Sequence, residues 1–256
     1  MKNVPKKTVK KTMSKQKKLT VSLVVIGLVL VLALTLWLCL RPEPAVMECG
    51  DFRLTNRDFS YHYWTEVMYS KGAYEDYLEV DFTKPLSEQP YDDTKSWEDH
   101  MIDQTLEMIQ ETMALAMEAE KEGFTMPQDY IDAYDDVIVN FQDAAMGQEY
   151  ENVDAYLQSS YGDDADLESF ETYLTYTHLA SAYADELYAR SVPTEEDVQG
   201  YYEENADYYG ADGLEQARDD LYRDNYNNAI RRVTSSYSFV TYRENISLTA
   251  PEGLYE

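Results

Sequence analysis

The segment SWEDHMIDQTLEMIQETMALAMEAEKEGF, residues 96–124, decides the fold class of this chain. Its apolar residues recur at the three- and four-residue steps of one helix face: Met101, Ile102, Leu106, Met108, Ile109, Met113, Leu115 and Met117. Ser96 is a favoured N-cap residue, and Gly123 stands where such a helix would end. The pattern predicts a long amphipathic helix, which needs other elements to cover its apolar face.

The same kind of periodicity predicts further helices on both sides of this segment. They are expected to begin near Asn56, at Pro127, near Val153, near Asp166, at Glu195 and at Leu214. The inner face of the second of these helices is expected to consist of Ile131, Tyr134, Ile138, Phe141 and Ala145. The helix from Glu195 is expected to continue to about Gly210.

Two segments with strand character flank the helices. VMECGDFRLT, residues 46–55, predicts a short strand pair that turns at Gly50, and YSFVTYRENISL, residues 237–248, predicts a terminal strand because it is rich in β-branched and aromatic residues. We therefore expect a mainly α module over residues 46–248, with short strands at its two ends and a C-terminal tail over 249–256. Whether the two end segments pair with each other is left open by the sequence.

The amino-terminal part predicts a membrane anchor. Leu19–Leu40 is uncharged and would span roughly 33 Å as a helix, and eight lysines precede it. We expect a basic cytoplasmic tail (1–18), a transmembrane signal anchor (19–40) and a tether (41–45), with the C-terminal module outside the cytoplasm of a single-pass cell-membrane protein. A cleaved signal peptide is disfavoured because its apolar region is usually only ~7–15 residues long and ends in an Ala-x-Ala-like site.

The composition limits the partners of the exported part. The chain has 49 acidic and 21 basic residues, and eight of the basic ones precede Leu19. Such a surface excludes nucleic acid as a partner and attracts cationic chains, although acidity can also serve solubility alone. The chain also contains 24 tyrosines, whose rings pack against apolar groups while their hydroxyls stay in water.

Common catalytic motifs are missing from the sequence. The three histidines, His62, His100 and His178, do not form His-Glu-x-x-His, and neither Gly-x-Ser-x-Gly nor a phosphate-binding Gly-x-x-x-x-Gly-Lys loop occurs. The acidic cluster between Asp163 and Glu168 lacks the glycine and glutamate spacing of a calcium loop. The sequence therefore predicts no catalytic residue, no cofactor site and no metal site.

Four segments, taken in their order along the chain, resemble the chaperone module of the SurA and PrsA foldases. They are GDFRLTNRDFSYHYW (50–64), AEKEGFTM (119–126), LESFETYLTYTHLASAYADEL (167–187) and PTEEDVQGYYEENADYY (193–209). The resemblance covers most of residues 46–248, and it implies a bacterial, membrane-associated, ATP-independent chaperone with a helical array like that of the SurA N-terminal domain. PrsA-like proteins carry a parvulin prolyl-isomerase domain after the last of these segments, but here only a few residues separate Tyr209 from Leu214. Isomerase activity is therefore not expected.

The resemblance leads to one main expectation and two alternatives. The module is expected to capture unfolded exported polypeptides, including basic ones, on a groove lined by tyrosine and methionine. The candidate client-binding residues are the exposed members of the set Tyr173, Tyr176, Tyr183, Tyr201 and Tyr202. The first alternative is a scaffold that holds one dedicated membrane or cell-wall assembly partner, and the second is an enzyme with an unrecognised site.

Overall fold

The computed structural model describes residues 43–256 except 75, 76, 211, 253 and 256. From Pro44 onward the chain forms one compact unit. The predicted basic tail and the predicted Leu19–Leu40 anchor lie outside the described residues. Within the described part, no helix combines the length and the apolar character needed to cross a membrane.

The described chain is mainly helical, as predicted. Its elements are β1 (Ala45–Cys49), β2 (Phe52–Thr55), α1 (Asn56–Tyr74), α2 (Trp97–Glu122), α3 (Gln128–Gly147), α4 (Val153–Tyr161), α5 (Leu167–Arg190), α6 (Glu195–Glu204), α7 (Ala206–Tyr209), α8 (Leu214–Thr234) and β3 (Val240–Thr241). Short 3-10 turns lie at Leu86–Glu88 and Arg243–Asn245. The predicted helix starts agree with these bounds to within one residue. Pro127, the predicted start of α3, is the N-cap residue of that helix.

The two ends of the module pair with each other in one small sheet of order β2-β1-β3. Gly50 has a φ of 60° in the turn that joins β1 to β2, where a residue without a Cβ is least strained. β3 runs antiparallel to β1, with Met47 opposite Thr241. The Tyr242 N–H extends this pairing by donating to the Val46 carbonyl at 2.8 Å.

The terminal strand is much shorter than the predicted segment 237–248. Only two residues form β3, because the chain then turns away from β1. The Asn245 side-chain amide donates to the Ala45 carbonyl at 2.7 Å. This side chain therefore replaces the backbone N–H that a longer terminal strand would have supplied to β1. Arg243 points instead to α2, where its guanidinium lies 2.7 Å from the Asp99 carboxylate.

Helix α2 is the central element. Its ends form as predicted: Ser96 and Asp99 make a reciprocal capping box, and Gly123 closes the helix in the left-handed conformation with a φ of 68°. α2 packs against α1, α5 and α8. Ala114, Ala116 and Ala119 are fully buried on it, and their small side chains let the neighbouring helices approach closely.

The apolar interior consists of three connected clusters. The first joins the sheet to α1 and α2 and includes Phe59, Trp64 and Ile109. The second lies between α2, α5 and α8, and the third lies between α1, α3, α4 and α5. The run Tyr61 to Trp64 is buried on every side of α1, because this helix is covered by different elements around its whole circumference.

Two helical predictions need correction. The inner face predicted for α3 is only partly covered. α3 packs mainly on α4 and α5, so Ala145 is buried but Ile131 is 37% exposed. The helix predicted from Glu195 to about Gly210 is broken at Asn205. There the Asn205 backbone N–H is shared between the Tyr201 and Tyr202 carbonyls, at 3.2 Å each. The Asn205 side-chain amide also donates to the Tyr201 carbonyl, at 2.8 Å, and this competing bond marks the end of α6.

The boundaries of the module are also wider than predicted. Ala45 belongs to β1 and is buried, although it was assigned to the tether. The residues after 248 are not a separate tail, because Leu254 is 4% exposed and lies in the first cluster. The Glu252 N–H donates to the Ser159 carbonyl at 2.9 Å, which holds this terminal segment against α4.

We expect the substitution Leu254→Ala to lower the free energy of unfolding by about 2–5 kcal/mol, because it leaves a cavity in the main core. Thr249→Ala in the same segment changes an exposed side chain and should cost less than about 0.5 kcal/mol. Denaturant unfolding of both variants checks this. Equal stability of the two variants would mean that the segment after residue 248 is a dispensable tail.

Candidate functional site

An open groove of about 470 Å³ lies where α1, α2 and α5 meet. We call it the central groove. It is lined by His62, Thr65 and Glu66 from α1, by Met108, Glu111, Thr112 and Leu115 from α2, and by Tyr173, Thr177, Ala180, Ser181 and Ala184 from α5. Its walls therefore combine apolar side chains with threonine hydroxyls, and two glutamates contribute acidic groups.

The groove stays open because α5 presents small residues to it. Ala180, Ser181 and Ala184 lie within about one helical turn of each other, so no long side chain fills the space between the three helices. Met108 on the facing wall is 37% exposed, although its position in the apolar stripe predicted a core residue. A flexible methionine at such a position can adapt to ligands of different shape.

His62 lies at the floor of the groove and is 3% exposed. Its ring meets the ring of Tyr173 edge-on, with centroids 4.7 Å apart. Among the described residues, the imidazole has no hydrogen-bond partner. Burial lowers the pKa of His62 to about 3, so the ring is neutral at physiological pH. A neutral imidazole offers one donor and one acceptor, and neither bonds to another described residue.

A smaller apolar pocket lies on the other side of this histidine. It has a volume of about 50 Å³, and both His62 and Tyr173 line it as well as the central groove. Phe52, Met113 and Tyr176 supply most of its apolar wall. The His62–Tyr173 pair therefore separates an open groove from a small apolar pocket.

The structure places two of the five candidate tyrosines at these cavities. Tyr173 lines both, and its ring packs against Tyr61 with centroids 5.6 Å apart. Burial raises the pKa of Tyr173, so its hydroxyl remains neutral, and the hydroxyl lies 3.5 Å from Thr65 Oγ1. Tyr176 is half-buried at the small pocket and meets Phe52 edge-on, with centroids 6.4 Å apart.

The other three candidate tyrosines lie elsewhere. Tyr183 is 1% exposed and packs in the second cluster, so it is not one of the exposed members of the candidate set. Tyr183 lies on the same side of α5 as Tyr173 and Tyr176. It faces the core because α8 covers the carboxyl-terminal half of α5. Tyr201 and Tyr202 lie on α6, where their hydroxyls donate to Asp224 at 3.3 Å and to the Gly210 carbonyl at 2.6 Å.

Sequence reasoning missed His62, because it searched for histidines in catalytic motifs. A usable signal was present in the run Tyr-His-Tyr-Trp at positions 61–64. Four large, largely apolar residues in succession cover the whole circumference of a helix, which is typical of a helix surrounded by other elements. The small residues of α5 were a second signal, since they interrupt a helix that is otherwise rich in tyrosine and leucine.

The described residues of the groove offer groups that can bind a ligand. His62 has no hydroxyl, thiol or carboxylate hydrogen-bonded to it among the described residues, so no activated nucleophile of the usual kind is formed there. Within the same part of the chain, no group of three or more His, Cys, Asp or Glu side chains is placed to hold a metal ion. The groove offers apolar contact, neutral hydrogen bonds and the carboxylates of Glu66 and Glu111.

Comparisons with models of known protein families, with curated protein sequences and with solved structures found no match for this chain. The chemistry of the groove is therefore the basis for its interpretation.

The buried histidine should make stability depend on pH. The pKa of His62 is about 3 in the folded state against 6.5 for the unperturbed side chain, so the unfolded state takes up a proton first as the pH falls. The contribution of neutral His62 to the free energy of unfolding is fully present above pH ~6.5. It is lost progressively as the pH falls towards ~3. Between pH 7 and pH 5 the loss should be about 2 kcal/mol.

Denaturant unfolding of the wild type and of His62→Gln at pH 7 and pH 5 measures this contribution. The wild type should lose about 2 kcal/mol more than the variant over this interval, because glutamine does not titrate. Carboxylates titrate in both proteins and cancel in the comparison. Parallel pH dependence of the two proteins would show that His62 is not held neutral by burial.

Proposed function

We propose that this protein is a membrane-anchored, extracytoplasmic, ATP-independent chaperone-like protein that binds unfolded exported polypeptides reversibly and has no prolyl-isomerase activity. The observation that carries the proposal is the central groove, which is open between three helices and has an unpartnered neutral imidazole at its floor. The order of the four sequence segments that resemble SurA and PrsA foldases supports the same function.

The groove offers weak contacts of several kinds at once. Leu115, Ala180 and Met108 supply an apolar surface for client side chains. His62 and the threonine hydroxyls can exchange hydrogen bonds with the amides of an extended backbone, which every polypeptide presents. Such contacts do not demand one sequence or one register, and this tolerance suits a protein that handles many clients.

The charge of the module favours basic clients. Glu66 and Glu111 line the groove, and acidic residues outnumber basic ones by 49 to 21 in the whole chain. This field attracts positively charged segments over ~8–10 Å at physiological salt. The proposed anchor, Leu19–Leu40, would hold the groove near the membrane, where exported chains emerge before they fold.

A second candidate function is a scaffold for one folded membrane or cell-wall assembly partner. The outward side of α3 favours it, because Val139 and Met146 are 51% and 70% exposed there. Asp132, Asp136 and Asp143 lie on the same helix and would give a folded partner charged contacts beside the apolar ones. This surface is separate from the central groove, so the two functions can be distinguished by mutation.

The substitution Ser181→Trp tests the chaperone proposal, because it fills the groove from an exposed position without removing a core side chain. Ala189→Trp is the matched control: it adds an indole to an exposed position of the same helix. The full chain in lipid nanodiscs should suppress the light scattering of several unrelated unfolded proteins. Ser181→Trp should reduce this activity about tenfold, and Ala189→Trp should retain it.

Three results would contradict the chaperone proposal. The full chain could leave the aggregation of every client unchanged, or the two tryptophan variants could be equally active. The full chain could also retrieve a single folded partner in a manner that depends on Met146 and not on Ser181, which would favour the scaffold function.

A further inference from the structure

A second cavity, of about 620 Å³, lies between the carboxyl ends of α2 and α5 and the side of α8. We call it the Arg232 cleft. Charged groups from several elements line it, namely Glu118, Glu122, Arg190, Asp197 and Arg232. It does not share a lining residue with the central groove, so a ligand here would occupy a separate site.

The carboxylates of this cleft already have partners. Glu118 accepts hydrogen bonds from Lys121 at 2.8 Å and from the Tyr237 hydroxyl at 2.7 Å, and these bonds lower the pKa of its carboxyl. Glu122 forms an ion pair with Arg190 at 3.0 Å.

Asp197 is used in the same way at the amino end of α6. It accepts from the Thr194 hydroxyl at 2.6 Å and from the Thr194 backbone N–H at 3.1 Å, which completes the capping box of that helix. Each of the three acidic side chains therefore already has a partner within the protein.

Arg232 differs from these groups. Across the described residues, its guanidinium has no ion pair and no side-chain hydrogen bond. By contrast, Arg190, Arg218 and Arg243 each contact two carboxylates. Arg232 is exposed at the cleft, where a ligand can reach it. The guanidinium therefore offers a planar fork of N–H donors, which matches the geometry of a carboxylate.

The floor of the cleft is apolar. Tyr183 is 1% exposed and Leu187 is 8% exposed, and Val233 lies beside them on α8. Burial raises the pKa of Tyr183 to about 12, so its hydroxyl stays uncharged. A ligand that fits both features has an apolar group next to an anionic one.

We propose that the Arg232 cleft binds a carboxylate attached to an apolar side chain, as at the C-terminal residue of a polypeptide. Arg232 would hold the carboxylate through two parallel N–H donors, while the terminal side chain packs on Leu187 and Val233. The cleft volume lies within the ~300–1,000 Å³ typical of ligand sites. A free apolar amino acid presents the same chemistry, so the test separates the two sources.

The test uses a fluorescent Gly-Gly-Leu peptide with a free C-terminal carboxylate and the same peptide with a C-terminal amide. Fluorescence anisotropy measures their binding to the full chain in lipid nanodiscs. The acid should bind at least about tenfold more tightly than the amide, because the amide loses a charge-assisted hydrogen bond. Arg232→Gln should abolish this preference.

Arg231→Gln is the matched control. It removes the same charge from the adjacent residue, which does not line the cleft, and it should keep the preference for the acid. Competition by N-acetylleucine would show that a small apolar carboxylate suffices, whereas competition by peptides alone would assign the site to chain termini. Both results support the proposed chemistry.

Equal binding of acid and amide would overturn the proposal, and so would equal loss of the preference in the two arginine variants. Tighter binding of the amide than of the acid would assign the cleft to cations instead. Ser181→Trp should keep the acid preference, because it fills only the central groove. A failure of the carboxylate-site proposal is therefore distinguishable from a failure of the chaperone proposal.

Discussion

The packing of α2 against three other helices is the interaction on which the rest of the structure depends. Its fully buried Ala114, Ala116 and Ala119 allow α1, α5 and α8 to approach the axis of α2 closely. These contacts bury the apolar face of α2. Both cavities use α2 as a wall. Met108, Glu111, Thr112 and Leu115 face the central groove. Glu118 and Glu122 face the Arg232 cleft. One helix therefore positions an apolar site and a charged site along its length.

Closure of the chain ends holds this arrangement together. β1 lies between β2 and β3, so the first and last parts of the module satisfy each other's backbone groups. Arg243 connects β3 to the start of α2 through Asp99, and Leu254 returns to the same core. α1 follows β2 directly, which places His62 below the groove. The sheet thus fixes α1, and α1 supplies the groove floor.

Local signals predicted much of the fold. The capping residues Ser96 and Gly123 and the apolar periodicity of α2 act within a few residues of each other, so the sequence alone reveals them. The length of β3 and the burial of Leu254 depend on partners far along the chain, and they were missed. The break at Asn205 is local, but it was missed because apolar periodicity does not show the side-chain hydrogen bond. Among the tyrosines, Tyr173 and Tyr183 share one side of α5, but only tertiary packing makes one a groove residue and the other a core residue.

Methyl NMR of the full chain in lipid nanodiscs, with labelled methionine side chains, tests most directly whether the central groove binds unfolded polypeptide. Met108 lines the groove, whereas Met146 is 70% exposed on α3 and lies away from it. We expect an unfolded basic client to shift the Met108 methyl signal in a saturable way and to leave the Met146 signal unchanged. A saturable shift of Met146 with no change at Met108 would contradict the account, because the client would then bind the outer surface of α3.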